Sequence, residues 1–394
     1  MPPVSLSRRT FIRQNIRFSM IYAALHAGLS ACTNPTSIAE NQTQPLSILI
    51  LGGTSFLGPH QIKYALERGH KVTMFNRGKT TPPIYQDIFQ QVIALTGDRE
   101  NDLQALEKGQ WDVVIDNSGH KVSWTANTAE LLKDRVNLYV YTSSTGVYYP
   151  YLQAGIDEQA TLLTREPEGI TDEAIQLEYW YGVMKTNSER AAQQYFGVDR
   201  TLIIRPTYMI GPADLSGRFI HWPVRLSRGG EILVPGKAED AVQYADVRDV
   251  AEWMIRLIET KTTGIFNAVG PIQSQNMEEF ITRAAAVFPV DRTFTRIDNY
   301  NFLQSQKVTE LVPWIIPTEN NMGSALISNR KAMANGLTLR TLETTMQDTQ
   351  AWWNSSQVSD DQRRRFEENP AGVLTREKDI LTAWKLKNGN SPDR

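Results

Sequence analysis

From residue 47 onward, short apolar runs alternate with longer segments of mixed polarity. Ser47 to Leu51 is apolar and leads into Gly52-Gly53-Thr54-Ser55-Phe56-Leu57-Gly58, after which Gln61 to Arg68 shows helical spacing. The order is strand, tight glycine turn, helix. Lys71 to Phe75, residues 91–95, Trp111 to Asp116 and Leu138 to Thr142 supply four further strands, separated by turn or helix-like segments. This alternation predicts an α/β fold, a doubly wound parallel sheet covered on both faces, with its ligand at the carboxyl ends of the strands. Trp352-Trp353 and the charged run Asp360 to Glu368 read as helices in a C-terminal segment, residues 341–394, that packs on the body or on a second subunit. A homo-oligomer is compatible with that reading.

Composition changes the picture mainly at the N-terminus. The chain has 394 residues, enough for about two domains. Its 41 Lys+Arg against 43 Asp+Glu give a net charge of -2 and no basic excess, so no nucleic-acid partner is expected. Ser7-Arg8-Arg9-Thr10-Phe11-Ile12-Arg13 reads as a twin-arginine signal, followed by a mostly apolar stretch at residues 18–31 that is short for a membrane span. Leu29-Ser30-Ala31-Cys32 resembles the lipobox of bacterial lipoproteins. Residues 1–31 are thus expected to be a cleaved signal, Cys32 a lipidated anchor to the membrane, and residues 32–46 a polar, Pro-containing tether. Cleavage would remove four arginines and leave a net charge of -6. The single Cys excludes an intramolecular disulfide.

The glycine turn is the first chemical motif. Glycines let the backbone approach a pyrophosphate, and the following helix N-terminus supplies free N–H groups and a positive dipole end. Gly52, Gly53, Thr54, Ser55, Phe56, Leu57 and Gly58 are the candidate contacts, with Ser55 where a G-x-x-G-x-x-G spacing would place its middle glycine. An acid commonly follows the second strand and bonds the ribose 2′-hydroxyl of NAD. Here Asn76 and Arg77 stand there, with Lys79 nearby, which favours a 2′-phosphate and so NADP, with NAD as the alternative. Asp98, in the turn after the third strand, is a candidate for the adenine side. No metal site is assigned.

The second motif is Ser143-Ser144 after the fifth strand, followed by Tyr181-Gly182-Val183-Met184-Lys185. Tyr and Lys at i and i+4 share a helical face. A phenol with a pKa of about 10 is a weak base at neutral pH, and a neighbouring cation favours its ionised form. Tyr181 is therefore the candidate acid/base, Ser144 the group that holds the substrate oxygen, and Lys185 the cation that lowers the Tyr181 pKa and bonds the nicotinamide ribose.

With LGGTSFLG, TSSTGVY, YGVMK, RPTYMIGP and DVRDVAEW in this order, residues 47–275 resemble the extended short-chain dehydrogenase/reductases, the epimerase/dehydratase superfamily. The resemblance implies a Rossmann nucleotide domain at residues 47–205 and a smaller substrate lobe at 206–340, from which about 243–270 return to the first domain. It implies Gly52, Gly53, Ser55 and Gly58 at the pyrophosphate and Ser144, Tyr181 and Lys185 as the catalytic set. Arg205-Pro206 and Gly211-Pro212 match the segment leading into the lobe, and Asp246 to Val250 the strand returning from it. Two departures bear on substrate. Where nucleotide-sugar epimerases carry an Asn on the diphosphate this chain has Tyr208, and where they carry an Arg on the nucleotide it has Val242. Two lost contacts of about 1.5–3 kcal/mol each argue against a standard nucleotide sugar unless Arg218, Arg225 or Arg248 replaces them.

LGGTSFLG and FNRG also resemble a branch that includes chloroplast stem-loop RNA-binding proteins. His120 and His221 are candidates for the substrate cleft. Export limits the chemistry: a folded protein beyond the inner membrane meets no maintained NADP(H) pool, so a hydride removed and returned within one cycle on a tightly held cofactor is expected. The expected function is reversible hydride transfer at a hydroxyl or carbonyl of a small, sugar-like substrate. The alternatives are a simple NADP-dependent reductase and a non-catalytic nucleotide-sensing or RNA-binding module.

Overall fold

The apolar runs form strands at Ser47–Leu51 (β1), Lys71–Asn76 (β2), Ile93–Thr96 (β3), Trp111–Asp116 (β4) and Val136–Thr142 (β5). The structure is a computed structural model describing residues 44–389; Arg8, Arg9 and Cys32 lie outside the described residues. Downstream come Thr201–Pro206 (β6), Met209–Ile210 (β7), Gly230–Pro235 (β8), Ala241–Asp246 (β9), Gly264–Ala268 (β10), Gly270–Asn276 (β11) and Arg292–Ile297 (β12). The central sheet is parallel and seven-stranded, in the order β10-β6-β5-β4-β1-β2-β3. The direction of winding reverses between β1 and β4, and at such a switch point the loops part to leave a crevice.

β1, β2, β4 and β5 are mainly apolar because both faces are covered, whereas the edge strand β3 is mostly exposed. Ile48 and Ile50 face one core with Ile62 and Ala65 of helix α1 (Leu57–Glu67). Leu49 and Leu51 face the other, with Leu132 of α2 (Val122–Leu132) and Phe196 of α3 (Glu173–Phe196). Helix α1 starts earlier than its spacing predicts, because the Gly58 N–H bonds to the Ser55 carbonyl at 2.8 Å inside the glycine turn itself.

The smaller lobe holds helix α4 (His221–Arg228), a three-stranded sheet β11-β9-β7 and the parallel pair β12-β8. Asp246 to Val250, expected as a strand, instead ends β9 and opens helix α5 (Val247–Glu259). The Asp246 carboxylate accepts from the Arg248 N–H at 2.8 Å, the capping bond that Asp favours. Helix α6 (Met277–Ala286) contributes Phe280 to a lobe core with Trp222, Val234 and Trp314. Leu342 and Met346 of helix Leu342–Asn354 and Leu381 of helix Val373–Lys387 join that core, so the tail packs on its own body. Helix Arg330–Ala334 returns to the first core through Ala332, and the Trp253 indole donates to the Asn335 carbonyl at 2.8 Å.

Candidate active site

Register pairs Leu51 with Phe75 on one side and Asp116 on the other, bringing the ends of β1, β2 and β4 together. There Gly52 and Gly53 take φ of +104° and +97°, a region that L side chains rarely enter. A Cβ on Gly58 would stand 2.4 Å from the Gly53 Cα, so α1 reaches the turn only because residue 58 is glycine. Phe56 provides α1 with no side-chain cap; with the Gly58 N–H bonded to the Ser55 carbonyl and no N–H on Pro59, the Leu57 N–H is the first-turn donor left for an anion. Above this turn lies a cavity of about 210 Å³ lined by Gly52, Thr54, Ser55, Asn76, Arg77 and Asp98, among others.

The remaining turn residues are placed differently. Gly53 and Leu57 are buried beneath the cavity, where only their backbone can serve a ligand, and Phe56 turns toward the neighbouring cleft. The Thr54 and Thr80 hydroxyls lie 2.6 Å apart, tying the turn to the loop after β2. Asn76 accepts from the Gly78 N–H at 2.8 Å, and Arg77 and Lys79 are exposed on that loop. The wall is a buried ion pair that sequence reasoning missed. Arg99 donates to both Asp116 oxygens at 2.6 and 2.9 Å, while its Nε, also buried, has no partner. Glycine cradle, uncapped helix end and this unsatisfied donor together fit a dinucleotide.

The second cavity, about 490 Å³, brings Ser144, Tyr181 and Lys185 together with Glu178, Tyr208 and Arg218. The Ser144 Oγ accepts from the Gly146 N–H at 3.0 Å, and the Ser144 hydroxyl is also hydrogen-bonded to Tyr181. The Tyr181 ring lies on Gly146, where a Cβ would come within 2.8 Å of it. Burial raises the Tyr181 pKa, and the Ser144 hydrogen bond and the Arg218 charge only partly oppose it. This is opposite to the direction expected from the Tyr-x-x-x-Lys spacing. Lys185 donates to the Thr142 carbonyl at 3.1 Å and lies over the Tyr141 ring, so the cation acting on Tyr181 is Arg218. Burial lowers Lys185 to about 8 against the pull of Asp116 and Glu189.

Behind these groups Arg205 binds both oxygens of Glu189 at 2.9 and 2.6 Å and the Tyr148 hydroxyl at 2.8 Å, and Ser143 donates to Glu189 at 2.5 Å. Arg205 is therefore a fixed brace for the helix that carries Tyr181 and Lys185. His120 lines both cavities, its pKa lowered by burial and by the Lys185 charge. His221 is buried in the lobe, away from the cleft lining.

Residues 48–270 match the model of the NAD dependent epimerase/dehydratase family. The chain belongs to this family. It is 30% identical over 242 residues to the chloroplast stem-loop binding protein of 41 kDa b of Arabidopsis thaliana, covering 57% of this chain and 58% of that protein. The chain therefore spans less than two thirds of that relative. Among solved structures it resembles the UDP-glucuronic acid 4-epimerase of Bacillus cereus in complex with NAD, at a TM-score of 0.57 and 14% identity over 80% of this chain and 99% of that one. It also resembles the Bordetella bronchiseptica enzyme WbmG in complex with NAD, at a TM-score of 0.56 and 15% identity over 82% and 98%. At these identities the likeness is one of fold. Within the epimerase/dehydratase frame Val242 is fully buried and Tyr208 presents a neutral phenol to the cleft, so neither supplies a charge. Arg225 is bound to Glu377, and Arg248 to Asp246 and Asp348.

Proposed function

We propose that the protein is an NADP-dependent enzyme of the epimerase/dehydratase type that oxidises and re-reduces a sugar-like substrate on one retained cofactor. The observation that carries this reading is the juxtaposition of two cavities, both bordered by His120: the glycine-turn cavity and the cleft holding Ser144, Tyr181 and Lys185. When bound, the dinucleotide supplies hydride transfer. The chain's own residues manage the proton and the geometry. The Ser144 hydroxyl, hydrogen-bonded to Tyr181 without substrate, turns to hold the reacting oxygen, and the Tyr181 phenol exchanges a proton with that oxygen while Arg218 stabilises the ionised phenol. Lys185 stands ready for the ribose, and the Arg205–Glu189 pair keeps helix and strand in register. Exposed Arg77 and Lys79, with no acid at Asn76, support the 2′-phosphate form.

Export on the twin-arginine route and anchoring through Cys32 complete the proposal. Native mass spectrometry with an absorbance spectrum, on protein from the membrane fraction without added nucleotide, tests it: retained NADP(H) on a lipidated chain is expected. An empty chain unable to bind NADP(H) would exclude this mechanism. Tyr181→Phe should abolish turnover and leave dinucleotide affinity within about threefold, because the phenol belongs to the cleft and not to the glycine-turn cavity. A second reading, a nucleotide-sensing RNA-binding module, is supported by the likeness to the Arabidopsis stem-loop binding protein; function unchanged in that variant would select it.

A further inference from the structure

A third cavity, about 250 Å³, meets the catalytic cleft at Thr207 and Tyr208. Its walls include Pro313, Ile315, Pro317, Met322 and Leu326. Most of its polar groups are already used within the protein. Gln243 gives its amide to the Ile327 carbonyl at 2.9 Å and accepts from the Ile327 N–H at 3.1 Å. Asn321 donates to the Ile316 carbonyl at 2.9 Å and accepts from the Thr318 N–H at 2.8 Å. Asp240 takes the Tyr300 hydroxyl, the Trp314 indole and the Lys237 N–H at 2.5, 2.8 and 3.0 Å. What remains for a ligand is apolar wall, the neutral hydroxyls of Thr207, Tyr208 and Ser324, and the exposed carboxylate of Glu239, which has no ion-pair partner among the described residues.

Among the described residues no Lys or Arg lines this chamber. Lys237, on the adjoining loop, is directed over the Tyr300 ring at 5.6 Å. The cations of the neighbouring cleft are Lys185, buried against Thr142, and Arg218, whose guanidinium lies over Tyr208 at 5.3 Å with its Nε on the Ser216 hydroxyl at 3.2 Å. A diphosphate in the chamber would place negative charge beside Glu239 with no neutralising partner, an unfavourable exchange for its hydration.

We propose that the chamber holds an uncharged, apolar aglycone, so that the substrate is a glycoside and not a sugar carried on a nucleoside diphosphate. The sugar ring then lies in the cleft before Tyr181, and the aglycone passes Tyr208 onto the wall of Met322, Ile315 and Pro317. This rests on the sugar-oxidation reading above and specifies its substrate class.

The test uses the full chain, first titrated with NADP(H) and NAD(H), then, loaded, with methyl and octyl glycosides of glucose and galactose and with UDP, by calorimetry. At least one octyl glycoside is expected to bind about tenfold or more tighter than its methyl counterpart, the effect of burying a few methylene groups, with UDP neither binding nor competing. Met322→Glu, an exposed position, should erase that difference and leave dinucleotide affinity unchanged. Equal affinity for octyl and methyl forms, absence of glycoside binding, or UDP binding tighter than any glycoside would overturn the proposal. Failure to take up either dinucleotide would instead remove the functional reading beneath it.

Discussion

Asn76 and Arg77 carry the choice of dinucleotide. A carboxylate at the end of β2 would bond a free ribose hydroxyl and repel a phosphate; the Asn76 oxygen is occupied by the Gly78 N–H at 2.8 Å, and Arg77 beside it is exposed with no carboxylate partner among the described residues. Removing one charge-assisted bond to phosphate costs about 1.5–3 kcal/mol, so Arg77→Ala should weaken NADP(H) binding roughly tenfold or more and leave NAD(H) unchanged in a fluorescence titration. Equal weakening of both would show that Arg77 does not face the 2′ position. Lys185 adds a pH signature. Burial lowers it to about 8, so below that value it is charged and above it the unliganded protein loses a cation from the cleft. Dinucleotide affinity should therefore decline as pH rises through about 8 in the native protein, and Lys185→Met should be weaker at pH 7 and flat across that range.

At the scale of elements, the glycine turn and helix α1 act as one unit. A Cβ at Gly58 would meet Gly53 backbone at 2.4 Å, and backbone cannot step aside as a side chain can. Gly58→Ala should destabilise the protein by about 2 kcal/mol or more and lose dinucleotide binding; a urea midpoint within experimental error of the parent would contradict this close approach. The first five strands were legible within a few residues because buried parallel strands read as short apolar runs, although the edge strand β3 is mostly exposed. Helix α1 was placed too late because its first turn is drawn from the glycine motif and carries no capping side chain. Asp246 to Val250 was misread because an Asp that ends a strand and caps a helix looks, in sequence, like strand continuation. Ser144, singled out by its place after the fifth strand, and Tyr181 and Lys185, by their i, i+4 spacing, line one cleft. Their supports, Arg99–Asp116 and Arg205–Glu189, depend on pairing between separate elements that local pattern does not encode, and the upward Tyr181 shift comes from burial, which Arg218 from the lobe only partly opposes.

Across the whole molecule, two buried histidines link lobe packing to pH. His60 on α1 contacts the Pro212 carbonyl in the lobe segment at 3.0 Å, and burial lowers its pKa to about 4. His221 packs edge-on against Trp222 with its Nε2 unpartnered, and burial lowers it to about 3. Both fold as neutral rings. Between their ordinary value near 6.5 and these lowered values the unfolded chain binds more protons, so stability present above pH 6.5 is lost on acidification. The loss should be roughly 2 kcal/mol per histidine between pH 6.5 and 5. Urea unfolding at intervals across that range should show a slope that falls by up to one proton in each of His60→Gln and His221→Leu, and by more in the double variant. If neither substitution changes the slope, the acid sensitivity belongs to the carboxylates of the ion-pair network, and the lobe is held to the nucleotide domain without a titrating contact.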